Sequence, residues 1–439
     1  MAGSSRRDHG PLPEPARPAS PLGRRDFFRM AGVAVAGGAM IGPLSGCARK
    51  TPTSATGGVV GSAGGPSTVA GLKIASPQNP VTWVIAPDNL PISSGLSPEK
   101  GATLKIYNYA DYINPEVFKA FEAKYGVKVQ VSTFNDIPEA LAKIRSGTVD
   151  FDIFLPSYDV IGKLVSTGLI RPINHEYVPN ITNVWPEFQN PFYDGEWRYS
   201  VPYTTYTTGL AWRTDRVSED ISARANPWDV FWDPQYAGKI AVLDDYRETI
   251  SMVMLRNGLA EHLNDADPAA LAKVQSDLLA MVANTKPRVT ITGYTDLPEG
   301  KFSITHCWSG DSVAMTGYLP EGGDPGILRY WFPKDGKGLV NSDLMVLLKA
   351  GKNPVLAHLF LDYMLDPKVA LENFTFVGYQ PPQNTITADS LVAAEVLPEN
   401  LKTAALQQSY FSTGYRTLEL SPQDDAAWSA VWQRFKAGA

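Results

Sequence analysis

From residue 101 onward the apolar positions of this chain fall into two alternating rhythms. "ATLKIYNY" (102–109) reads as a strand. In "NPEVFKAFEAKYG" (114–126), Asn114 is placed to cap a helix and Pro115 suits its first turn. Val117, Phe118, Phe121 and Tyr125 then share one face, and Gly126 supplies the stop. "VKVQVSTF" sets Val127, Val129 and Val131 at a period of two, which predicts a second strand. "PEALAKIRSG" closes another helix on Gly147, and "DFDIFLPS" is a short apolar third strand. Strand and helix alternating in this way predict a parallel sheet, and ligands bind such sheets beyond the carboxyl ends of the strands.

The same alternation returns at "GKIAVLDD" (238–245), with helices expected at 246–257 and 268–283. Strands follow at "RVTI", "KFSITHCW", "ILRYWF" and "SDLMVLLKA", and helices at "NPVLAHLFLDYML" and "DPKVALENFTF". The expected fold class is therefore α/β, in two lobes. The chain has 439 residues, 44% of them hydrophobic and 10% aromatic, enough to fill two such bodies.

The first 46 residues are a different material. Arg24 and Arg25 precede Phe27 and Phe28 in "GRRDFFRM"; the Gly/Ala-rich "AGVAVAGGAMIGPL" follows, then "LSGC" at 44–47. A charged start, a short apolar run and small residues at a cleavage point predict a secretory signal, too short to span a bilayer. The paired arginines resemble a twin-arginine export signal. "LSGC" resembles a lipobox, in which Cys47 becomes the lipid-bearing first residue. An ordinary cleavage site with a chance cysteine is the alternative. Residues 47–100 have the Gly/Ser/Thr/Pro composition of a flexible, lipid-anchored linker. Within them, "NPVTWVIAPDNLPISSGL" (79–96) has enough apolar side chains to lie along the domain as an extended strip. No stretch after residue 46 reaches the roughly 18 consecutive apolar residues of a membrane span.

Of 39 Lys/Arg and 45 Asp/Glu, residues 1–46 hold six and three, so the remainder carries a net charge of −9. That balance disfavours nucleic acid and suits a cationic ligand. With Cys47 lipidated, Cys307 has no disulfide partner, and its apolar surroundings in "KFSITHCWSG" predict a buried structural thiol. The sequence holds no GxSxG, HExxH, GxxxxGK[ST] or GxGxxG signature, and its five histidines lack metal-ligand spacing. No enzyme, metal or cofactor is indicated.

What remains is a set of aromatic and acidic residues where strands end. Tyr109, Asp111 and Tyr112 follow the first strand, and Ser157, Tyr158 and Asp159 the third. Asp244, Asp245 and Glu248 open the second run; Trp308, Asp311 and Tyr379 come later. Ring faces attract ammonium groups at about 0.5–2 kcal/mol per contact, and carboxylates accept charge-assisted bonds from amines. Three of these features have a structural reading beside the functional one. Tyr107 fits a core strand position, Asp245 and Glu248 fit a helix cap with its N3 partner, and Trp308 fits the core.

Four stretches, "LKIYNYADYINPEVFKAFEAKYGVKV", "FDIFLPSYDVIGKL", "VLDDYRETISMVM" and "VGYQPP", resemble the spermidine/putrescine-binding proteins of bacterial ABC importers, from about residue 101 to 385. The resemblance implies a two-lobe periplasmic-binding-protein fold with hinge-connected mixed sheets, its lobes 101–205 plus 337–382 and 206–336 plus 383–439 joined by crossing hinge strands. It implies ligand contacts from Tyr109, Asp111, Tyr112, Ser157, Tyr158, Asp245, Glu248, Trp308 and Tyr379. Together with the export signal and the lipobox, it implies a monomer on the outer face of the cytoplasmic membrane, lipid-anchored at Cys47, delivering a polyamine-like cation to ABC permease subunits. The family's Trp-x-Asp aligns with Val340-Asn341-Ser342, which removes a ring and a carboxylate. Asp343 would substitute only after a one-residue shift, and such a shift turns a strand side chain to the other face. A smaller diamine or another cation then gains on spermidine. Ferric iron is a rival ligand, although no Tyr-Tyr pair occurs, and a surface-anchored hydrolase is a rival of another class.

Overall fold

A fully buried strand that is rich in threonine and tyrosine runs through the centre of this protein. It is β5 (Ser200–Arg213), and every residue of it is buried. The strands before it in the chain are β1 (Thr103–Tyr109), β2 (Lys128–Phe134), β3 (Ile153–Phe154) and β4 (Ile170–Arg171). Those after it are β6 (Ile240–Leu243), β7 (Arg288–Thr290), β8 (Ile304–Trp308), β9 (Leu328–Trp331) and β10 (Leu339–Leu348). The computed structural model describes residues 74–438 and the backbone of a small ribbon, Thr68–Val69 with Leu72–Lys73, all within one compact unit, Val59–Ala439. The expected signal, Cys47 and most of the expected linker lie outside the described residues.

The ten strands form one mixed sheet, ordered β2-β1-β3-β10-β5-β8-β6-β7, with β4 beside β10 and β9 beside β5. β1 runs parallel to β2 and β3, and β6 runs parallel to β7 and β8, as strand–helix alternation requires. β5 and β10 pair antiparallel to each other, β10 also to β3 and β5 also to β8, and so they join the two parallel groups. The sheet is therefore mixed, as the resemblance to the periplasmic binding proteins implies.

Local chemistry sets the helices. Helix α1 (Pro115–Tyr125) begins where the Asn114 side chain accepts from Glu116 N–H and ends at Gly126, whose φ of 66° suits glycine. Val117 and Phe121 are its buried stripe. Helix α2 (Ile137–Arg145) is capped by Asp136. Helices α3 (Tyr246–Arg256) and α4 (Pro268–Thr285) match the expected spans closely. α5 (Ser309–Ala314) leaves the end of β8, and α6 (Pro354–Met364) and α7 (Pro367–Val377) follow β10. The chain ends in α8 (Pro422–Gly438), which buries Trp428, Val431, Trp432 and Phe435. Among the described residues no helix is long and apolar enough to cross a membrane.

The strip at 79–96 is fastened to the core. Val81 and Trp83 are buried, Trp83 Nε1 donates to Tyr193 O at 2.8 Å, and Asn89 Nδ2 donates to Ile170 O at 2.8 Å. The Glu99 carboxylate accepts from the N–H groups of Val355 and Leu356, capping α6, whose own N-cap side chain makes no such bond. This part of the expected linker is therefore fixed to the domain. Cys307 is buried in the apolar core, where desolvation raises its pKa well above the ordinary thiol value. Its neighbour His306 faces Trp228 and Phe231 on the opposite side, and burial pushes it down to about 3. The two cannot act as a thiolate–imidazolium pair.

Candidate functional site

Pairing of β5 with β10 brings the even positions of one strand onto the face of the odd positions of the other. Thr204 pairs with Asp343, Tyr206 with Asn341 and Thr208 with Leu339; on the other side of β5, Trp308 of β8 pairs with Thr208. Side chains two apart on a strand share a face, so these residues form one floor. Loops from four strand or helix ends close over it.

After β1, Asp111 adopts φ 54°, a left-handed conformation that aspartate tolerates better than most residues. The turn sends Tyr112 inward. Its hydroxyl donates to Asp343 Oδ2 at 2.6 Å and lies 2.8 Å from Thr204 Oγ1. Tyr109 stays half-buried, its ring 4.3 Å from that of Phe134 and 5.7 Å from that of Tyr112. Edge-to-face contacts continue from Tyr112 to Tyr379 (5.0 Å), from Tyr379 to Tyr206 (5.6 Å) and on to Trp308 (6.5 Å). Tyr379 also donates to Asp311 Oδ1 at 2.8 Å. Tyr107, by contrast, is buried in the core against Phe134, Phe151 and Phe154, the structural reading.

After β3, Ser157 makes an isolated backbone bridge to Asp343 and its hydroxyl donates to Asp159. Tyr158 is buried and donates to Asn341 Oδ1 at 2.9 Å. After β6, Asp245 is the N-cap of α3 and accepts from Glu248 N–H at 3.0 Å, so the expected cap and N3 positions are occupied. The Glu248 side chain turns into the site instead of completing a reciprocal box. Its Oε1 accepts from Trp308 Nε1 at 3.1 Å and from Asn341 Nδ2 at 3.4 Å, while Oε2 has no hydrogen-bond partner among the described residues.

Strand alternation divides the stretch Val340–Asp343 between the two faces of β10. Ser342 lies opposite Thr205, away from this floor, while Asn341 and Asp343 face Glu248 and Tyr112. The register does shift here, but the extra residue is Tyr203 on β5, since Asp343 pairs with Thr204 and Leu344 with Pro202. Asn341 and Tyr206, which the sequence did not single out, thus line the floor, and so does Asp343, which the sequence admitted only with a one-residue shift.

Burial governs the electrostatics. Desolvation lifts the Asp343 carboxyl to about 6, although bonds from Tyr112 and Tyr206 (the latter 3.3 Å) pull it down. Glu248 is raised by burial and then by the charge of Asp245, and Asp245 is itself raised by burial. The phenols of Tyr109, Tyr112, Tyr206 and Tyr379 are held neutral, first by burial. Every hydrogen-bond partner named here for Asp343 and Glu248 is neutral, which leaves two desolvated carboxylates suited to accept cations.

Comparisons with known proteins identify the family and the fold. The family model for bacterial extracellular solute-binding proteins matches residues 116–399. A putrescine/agmatine-binding protein of Pseudomonas aeruginosa is 26% identical over 346 residues, 77% of this chain and 92% of that protein. The putrescine-binding periplasmic protein PotF of Escherichia coli is 25% identical over 371 residues, 82% of this chain and 98% of its own. Among solved structures, a putative spermidine/putrescine ABC transporter protein from Listeria monocytogenes superimposes with a TM-score of 0.65 at 27% identity, covering 76% of this chain and 98% of its own. The mixed α/β architecture is that of the periplasmic binding proteins, and the chain belongs to the bacterial extracellular solute-binding protein family.

Proposed function

We propose that this protein is the extracytoplasmic solute-binding component of an ABC importer and that its ligand is a polyamine-like organic cation, putrescine or a close relative. The observation that carries the reading is the pair of buried carboxylates, Asp343 and Glu248, held on one floor among aromatic rings by neutral partners. Such acids are stabilised by an arriving ammonium group, and the rings cover the methylenes between two of them. The names of the relatives point to the same ligand class. Tyr109, Asp111, Tyr112, Ser157, Tyr158, Asp245, Trp308 and Tyr379 complete the proposed binding set.

In this reading, residues 101–205 with 337–382 and residues 206–336 with 383–439 act as lobes that close about the β5–β10 crossing and present the loaded form to permease subunits. The twin-arginine-like start and "LSGC" support export and a lipid anchor at Cys47, holding a monomer at the outer face of the cytoplasmic membrane. Calorimetric titration of the purified protein with putrescine, cadaverine, agmatine, spermidine, ferric iron and neutral sugars tests the ligand. Heat from an amine is the expected result. Heat from iron or a sugar, with none from any amine, would overturn the reading.

A further inference from the structure

Asn341 ties together four separate stretches of chain. Its Oδ1 accepts from the Tyr158 hydroxyl at 2.9 Å, the Thr417 hydroxyl at 3.1 Å and the Thr417 N–H at 3.4 Å. Its Nδ2 donates to Glu248 at 3.4 Å. Glu248 therefore lies on one side of this amide, and Tyr158 with Thr417 lies on the other. The stretch bearing Thr417 is fixed by its backbone as well: Val340 N–H donates to Tyr415 O at 2.9 Å and Tyr415 N–H to Gly338 O at 2.8 Å. Arg247 and Arg416 are close enough to Tyr158 for their charges to act on its phenol. The Arg416 guanidinium is anchored on Phe411 O at 3.0 Å, and that of Arg247 on Asn264 Oδ1 at 3.0 Å.

A ligand held at Glu248 and continuing toward Tyr158 would have to part three donors from one carbonyl oxygen. A further ammonium would then meet the guanidinium groups of Arg247 and Arg416, whose charge there is only partly offset by Asp159 and Asp245. In the other direction Asp343 offers a second carboxylate on the same face, two residues or about 7 Å along the strand from Asn341. We propose that Asn341 limits the length of the ligand: the site takes a diamine, with one end at Asp343 and the other at Glu248, and excludes amines that carry a further charged arm. This rests on the amine reading above and narrows it.

Titration of the full-length protein should give a dissociation constant for putrescine about tenfold or more below that for spermidine. In Asn341→Ala the ratio should fall toward one through a gain in spermidine affinity. Thr417→Val removes one donor and keeps the side chain's size, and should move the ratio the same way by a smaller factor; if Asn341→Ala does not fold, Thr417→Val decides alone. Equal affinities in the parent protein, or a ratio that the folded variants leave unchanged, would overturn the role given to Asn341 and leave the amine reading standing. No heat from either amine would overturn the amine reading and this inference together.

Discussion

Replacing Asp343 with asparagine should stabilise the ligand-free protein while it removes amine binding. Burial raises this carboxyl from 3.8 to about 6. A shift of about two units corresponds to about 3 kcal/mol. Because the folded value lies above the unfolded one, the acid form's contribution to stability is complete below about pH 4. It is lost as pH climbs through about 6, and above about pH 7 the buried carboxylate weighs against folding by the full amount. Asparagine has no charge to desolvate. It does disturb the bonds from Tyr112 and Tyr206, at about 1 kcal/mol each, so the net gain at neutral pH should be about 1–3 kcal/mol. Urea unfolding of both proteins near pH 4 and near pH 7.5 measures it. The variant's advantage should be absent at the acid end, grow through pH 6 and then level off. A difference between the two proteins that does not change with pH would refute the reasoning, since it would mean that Asp343 is not desolvated in the folded state.

The same chemistry predicts that amine binding releases protons below about pH 7 and weakens as pH falls, because a cation pulls the Asp343 value back down. Calorimetry in two buffers of different ionisation enthalpy reads the release, which should vanish near pH 8 (about two units above the group's value). Asp245→Ala removes the α3 cap and should cost about 0.5–2 kcal/mol in thermal or urea unfolding, besides weakening putrescine binding. Glu248→Gln should abolish putrescine heats with no loss of melting temperature. Gly378→Ala should destabilise by about 1–3 kcal/mol in urea, because φ there is 75° and a Cβ would lie 2.4 Å from Gly310 O, where α7 meets α5 beside Tyr379.

Much of the first parallel group was legible because its signals are local. Asn114, Pro115 and Gly126 mark both ends of α1 without reference to the rest of the chain. The alternation in "VKVQVSTF" located β2, yet Val131 is exposed, because β2 lies at the sheet edge and only part of its length is covered. β5 was legible only as a crossing. A strand with threonine and tyrosine at most central positions reads as half-solvated, and here those side chains are buried because they face one another and the site. α8 was missed although Trp428, Val431, Trp432 and Phe435 follow helical spacing, since its remaining positions are short or polar and dilute the pattern.

Asp343 shows why the centre of the site was harder to read than its rim. Rim residues follow strand ends, so a motif and a boundary are enough to place them. A floor residue is defined by face, and face depends on register, which one strand's sequence does not contain. Matching by motif selected Ser342, whereas pairing with Thr204 and Tyr206 selects Asn341 and Asp343. The consequence for ligand choice also changes. Asp343 supplies a carboxylate on the floor, and the neighbouring position on that face holds an amide where an aromatic ring would add about 0.5–2 kcal/mol toward a cation. That amide, Asn341, is bonded on one side to Glu248 and on the other to Tyr158 and Thr417. In the proposed diamine site, Asp343 and Glu248 meet the two ends of the ligand and Asn341 closes the space toward Tyr158.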